Sequence, residues 1–153
     1  MSKYQQIVIE WSYPVEFSRI LKKDSMKDIG IYYISRKFGN KQSILYIGKT
    51  TYSFFSRLDS HRVFKLDNYR GKKFVRLGHI ISPKRVEEQK LKELINDAEK
   101  TIIFYLSNCS DCELIDNKDC TKTASFENLL KIKNIGYKGQ LPKELYIPED
   151  KLI

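Results

Sequence analysis

The stretch GIYYISRKFGNKQSILYIGK, residues 30–49, decides the fold. Ile31, Tyr32, Tyr33 and Ile34 are β-branched or aromatic, as are most of the residues from Ser43 to Ile47, so both runs favour extended strands. Between them lies Lys37-Phe38-Gly39-Asn40-Lys41, polar but for one Phe, with a Gly-Asn pair that tolerates positive φ. The pattern predicts a β-hairpin. It brings Tyr32 and Tyr46 onto neighbouring strands, and Tyr33, on the opposite side of the sheet from Tyr32, reads as packing.

Outward from the hairpin, residues 5–11 predict a first strand, broken at Ser12-Tyr13-Pro14. Val15 to Lys22 predicts a short helix with Val15, Phe17, Ile20 and Leu21 inward, and Lys22 to Asp28 a charged loop. Tyr52 to Phe64 has helical spacing, with Phe54, Phe55 and Leu58 on one side; Arg57 and His61, four apart, share another face. Residues 65–73 read as a basic loop and Phe74 to Ile81 as the third strand, ended by Pro83. From about Arg85 to Ser107 the period is helical, with Leu91, Leu94, Ile95, Ala98, Ile102, Tyr105 and Leu106 on one stripe. Asn108 to Cys120 reads as an exposed loop and Leu129 to Asn134 as a short strand, before an irregular end.

The 153 residues predict one domain with a real core, and 41% hydrophobic with 31% charged residues is an ordinary globular composition. No apolar run approaches the roughly 20 residues that span a bilayer, and the N-terminal apolar stretch is too short for a signal peptide. No membrane partner and a cytoplasmic location are expected. An odd number of cysteines argues against a secreted disulfide scaffold. Cys109-x-x-Cys112 with Cys120 offers three of the four ligands of a structural zinc site, and Asp111, Asp116 or Asp119 could add a fourth. Free thiols are the simpler reading.

Net charge is +9, and from His61 to Arg85 eight cations (Arg62, Lys65, Arg70, Lys72, Lys73, Arg76, Lys84 and Arg85) face one acid, Asp67. Phe64, Tyr69 and Phe74 are interleaved with them. Such a segment suits a phosphate backbone, with salt-dependent affinity. Arg62, Lys65, Arg70, Lys72, Lys73 and Arg76 are the candidate nucleic-acid contacts. A solvated basic surface meeting acidic protein partners is the plainer alternative.

Gly30-Ile31-Tyr32 and Tyr46-Ile47-Gly48 resemble the two signature tripeptides of the GIY-YIG nuclease superfamily. The resemblance runs on in order through Lys49, Arg57, His61 and Glu99, over roughly residues 28–107, with residues 108–153 as a C-terminal extension. It implies an α/β (α+β) domain: a small, mostly antiparallel three-stranded central sheet flanked by helices, here with an added N-terminal strand. It also implies an endonuclease that hydrolyses DNA, double-stranded above all, using Mg²⁺ or Mn²⁺ held by Glu99. Within that resemblance Tyr32 activates water while Tyr46 orients water or phosphate, and Lys49 and Arg57 supply charge. His61 supports a phosphate or shuttles a proton. The family's asparagine falls on Asn117, or on Asn108 if the cysteine loop is no insertion. With no separate DNA-reading domain in view, loops, the basic segment or a homodimer would supply specificity. A non-catalytic nucleic-acid-binding module on the same fold is the alternative.

Overall fold

The computed structural model describes residues 4–20, 28–51, 53–54, 71–107 and 128–148. Among them seven strands form one curled, mixed sheet. In chain order they are β1 (Gln5–Trp11), β2 (Val15–Glu16), β3 (Gly30–Phe38), β4 (Lys41–Thr50), β5 (Lys72–Ser82), β6 (Leu130–Gly136) and β7 (Glu144–Leu145). One single-turn helix, α1 (Phe17–Ile20), and one long helix, α2 (Glu88–Ser107), complete the described elements. The order across the sheet is β4-β3-β5-β1-β6-β7, with β2 on β5.

This corrects the expected helix-flanked, three-stranded α/β architecture: the described chain is mostly β. The trio β4-β3-β5 exists and is antiparallel. It does not end at β5, because β1 pairs with β5 on one side and, in parallel, with β6 on the other. The strand expected as an appendage is therefore central. Its Ile7, Ile9 and Trp11 are buried, and Trp11 Nε1 donates to Asn134 Oδ1 on β6 at 2.8 Å. Asn134 in turn donates from Nδ2 to the Pro142 carbonyl at 2.9 Å, so this buried amide is satisfied on both ends.

The hairpin forms with a tighter turn than its polar stretch suggests. Phe38 pairs with Lys41, leaving only Gly39 and Asn40 in the turn, with Gly39 at φ 63°. Val15 belongs to β2 rather than to a helix. The expected helix Tyr52–Phe64 and the cysteine-bearing loop lie outside the described residues, Ser53 and Phe54 excepted.

Two apolar cores lie against the sheet. One joins Ile31, Tyr33, Ile44 and Ile47 to Leu94, Ile95, Ala98, Ile102, Ile103 and Leu106 of α2. Ile103 takes the place expected of Tyr105, which is 36% exposed. The other core gathers Tyr32, Ile34, Leu45, Tyr46, Val75 and Leu77 with Phe17 and Phe54. Asp97, buried on α2, accepts hydrogen bonds from the backbone N and Nδ2 of Asn128 at 2.8 and 2.9 Å, fastening the approach to β6 onto the helix.

Tyr33 is fully buried beneath the segment that follows β6, and its hydroxyl donates to the Lys138 carbonyl at 2.6 Å. Burial pushes its phenol up to about 12, although the Arg76 guanidinium over its ring pulls the other way. An acid whose folded pKa lies above its unfolded value near 10 favours the fold while protonated. That contribution is intact below pH 10 and is lost as pH rises through about 12. Between those pH values wild type should lose roughly 2–3 kcal/mol more stability than Tyr33→Phe, read from urea midpoints at each pH. Equal losses in the two proteins would refute this.

Candidate active site

The hairpin register builds the centre of the site. Tyr32 pairs with Gly48, and Tyr46 lies two residues before Gly48 on the same face of β4. A Cβ at position 48 would overlap the Tyr32 phenol and come within 2.7 Å of Tyr46 Cε1. Only glycine leaves the space both rings occupy. The rings lie nearly parallel, 28° apart in plane with centroids at 6.1 Å, and Phe54 meets Tyr32 edge-on at 6.3 Å.

An irregularity at Leu45 supports the arrangement. Ile34 pairs with Tyr46 but Ser35 with Ile44, so one extra residue of β4 is accommodated there. Leu45 and Tyr46 consequently share one core while Ile44 and Ile47 join the other. The bulge lets β4 present Tyr46 beside Tyr32 and still return its remaining apolar residues to α2.

The two phenols differ in access. Tyr32 has no exposed surface, and Tyr46 keeps 9%. Lys49, one residue past Gly48, projects from the other face, where its Nζ donates to Asn96 Oδ1 of α2. Asn96 lies one turn before Glu99, which is half-buried. The clasp therefore joins the end of Tyr46-Ile47-Gly48-Lys49 to the helical turn carrying the candidate metal ligand. Sequence reasoning missed Asn96; its place three residues before Glu99, on the same side of a helix, was the available signal.

Arg76, expected among the nucleic-acid contacts, is half-buried on β5 opposite Tyr33 of β3. Its guanidinium stands 5.1 Å from the Tyr33 ring centroid and its Nη1 lies 3.5 Å from Ser35 Oγ. It serves the fold's interior edge, while Lys72 is exposed and Lys73 half-buried at the start of β5. Arg57, His61, Arg62, Lys65, Arg70 and Asn117, with the alternative Asn108 and with Cys109, Cys112 and Cys120, lie outside the described residues.

Among the described residues no three His, Cys, Asp or Glu side chains gather as a metal cluster. Mg²⁺ does not require one, since it commonly takes one or two carboxylates and completes its shell with water and phosphate oxygens. A single half-buried Glu99 beside a cation-bearing strand end fits that donor set. Asp97 does not join it, its carboxylate being engaged by Asn128.

No protein-family model, curated protein or solved structure matches this chain. No described helix is long and apolar enough to cross a membrane.

Replacing Gly48 by Ala should cost about 1–3 kcal/mol, because the new methyl must displace a packed ring. The cost should shrink when Tyr32→Ala is also present, since the obstructing phenol is then gone. Urea unfolding of the two single variants and the double variant measures this, and strictly additive losses would contradict the overlap.

Proposed function

We propose that this chain is a metal-dependent endonuclease that hydrolyses DNA phosphodiester bonds. The observation that carries the reading is the clasp between Lys49 and Asn96, which draws the Glu99 turn of α2 to the strand end that also carries Tyr46 and Gly48. The pairing of Tyr32 with Gly48 supports it further, because it supplies two neighbouring phenols at that strand. Among the described residues β4 is an edge strand, so groups from its two faces can meet a phosphate around that edge.

Burial divides the phenol roles differently from the sequence expectation. Water must reach the base, and of the two phenols only Tyr46 keeps exposed surface. Tyr46 is then the group that takes the proton of the attacking water, and Tyr32 beneath it fixes the ring's position. A free phenol ionises near ~10, so acting at neutral pH requires about 4 kcal/mol of preferential stabilisation of the phenolate. The resemblance assigns that positive charge to Lys49 and Arg57, of which Lys49 is engaged by Asn96 on the other face of β4 and Arg57 lies outside the described residues. The planar fork of an arginine such as Arg57 also suits two phosphate oxygens at once, and a histidine such as His61 can give or accept a proton. Glu99 would hold the Mg²⁺ or Mn²⁺, which neutralises charge developing on the phosphoryl group and the leaving oxygen.

The complete burial of Tyr32 favours a second reading, a nucleic-acid-binding module without hydrolysis. Supercoiled plasmid incubated with Mn²⁺ separates the two. Wild type should nick it, Glu99→Ala should slow nicking at least ~10²-fold, and Tyr46→Phe should lose more activity than Tyr32→Phe. Salt-sensitive binding with no nicking by wild type would establish the module instead.

A further inference from the structure

We propose that the end of the β3–β4 hairpin, with the first residues of β5, is a prong that enters a groove of duplex nucleic acid and reaches the phosphates on both of its sides. The register sets like charges against one another: Arg36 pairs with Lys73, and Lys37 with Lys72. Directly opposed like charges destabilise a sheet. Among the described residues no carboxylate pairs with Lys37, Lys72 or Lys73. A sheet end built for stability alone would alternate the signs; this one concentrates a single sign where a polyanion can offset the repulsion.

The distribution over the two faces selects the shape of that polyanion. Side chains alternate along β3, so Lys37 and Lys72 stand on the face of Tyr33, and Arg36 and Lys73 on the face of Tyr32. A flat anionic surface would meet one pair only. A groove bordered by two phosphate backbones meets both. Among the described residues the sheet narrows past Lys37 to two strands and a two-residue turn, with Phe38 56% exposed near the tip. Paired strands lie about 4.8 Å apart, and the major groove, about 12 Å wide, admits a two-stranded ribbon.

Arg36 follows Tyr32 by four residues on the same face of β3, a span of about 13 Å. At ~3.4 Å per base-pair step, the prong would hold the duplex about four steps from a phosphate held near the phenols. This last placement rests on the hydrolase reading; the prong itself does not.

Anisotropy titrations of a labelled 20-base-pair duplex, without divalent metal and across roughly 50–200 mM salt, test the idea. Lys37→Ala/Lys72→Ala and Arg36→Ala/Lys73→Ala should each lower the log–log salt slope by about 2, at ~0.9 per phosphate contact. The Lys37→Ala/Lys72→Ala variant should melt at or above the wild-type temperature, since repulsion has been removed. A slope unchanged in either double variant overturns the two-sided prong, as does an equal fall in slope on a single strand of the same length. Plasmid cleavage reads the hydrolase proposal separately. A chain that does not cleave but shows both slope changes refutes the hydrolase and keeps the prong; one that cleaves with unchanged slopes does the reverse.

Discussion

Everything at the candidate site depends on the space left by the missing side chain of Gly48. Tyr32 pairs with this residue, and its ring fills the volume a Cβ would take. In a strand pair the side-chain period is two, so a slip of one residue would send every side chain of β4 to the wrong face. Here such a slip would drive a side-chain-bearing residue into the Tyr32 ring as well as exposing Ile47 or Ile44. One glycine thus fixes the hairpin register and the approach of the two phenols together. The bulge at Leu45 then corrects the phase of the remaining strand, keeping both cores filled.

The wider sheet gives that hairpin a fixed base. β1 is paired along both edges, antiparallel to β5 and parallel to β6, and Trp11 is anchored by its indole N–H to Asn134. Gly78 of β5 passes closely enough that a Cβ there would lie 2.7 Å from Trp11 Cζ3. β3 is hydrogen-bonded on both sides too, by β4 and β5. The phenol pair therefore sits on the last two strands of a broad sheet, and among the described residues β4 is the outer of the two.

What could be read from the sequence was what local chemistry determines. The hairpin announced itself by two β-prone runs around Gly39-Asn40, the third strand by Phe74 to Ile81, and α2 by a 3.6-residue apolar stripe. The span of the turn is overestimated from sequence because Lys37, Phe38 and Lys41 flank Gly39-Asn40 like loop, although all three are strand residues. The parallel pairing of β1 with β6 joins residues more than 120 positions apart, and no local pattern encodes it. That pairing turned a small three-stranded expectation into a seven-stranded sheet. Tyr105 and Ile103 were exchanged on the stripe because periodicity alone places both near the buried edge of a helix. At the site, the identity of the phenols was visible, while the burial of Tyr32 and the Lys49–Asn96 clasp depend on side-chain packing between elements.

Tyr33 calibrates what the site must achieve. It is a phenol in the same strand, fully buried, with a guanidinium 5.1 Å from its ring centroid, and it is still held near 12. Desolvation outweighs a single adjacent cation there. Tyr32 is just as buried, so it is shut off from the water that a catalytic phenol must meet. Tyr46 keeps residual exposure, and it sits three residues before Lys49, which meets α2. A catalytic phenol on this fold should therefore be the one closer to solvent at the edge strand, helped by more than one positive group.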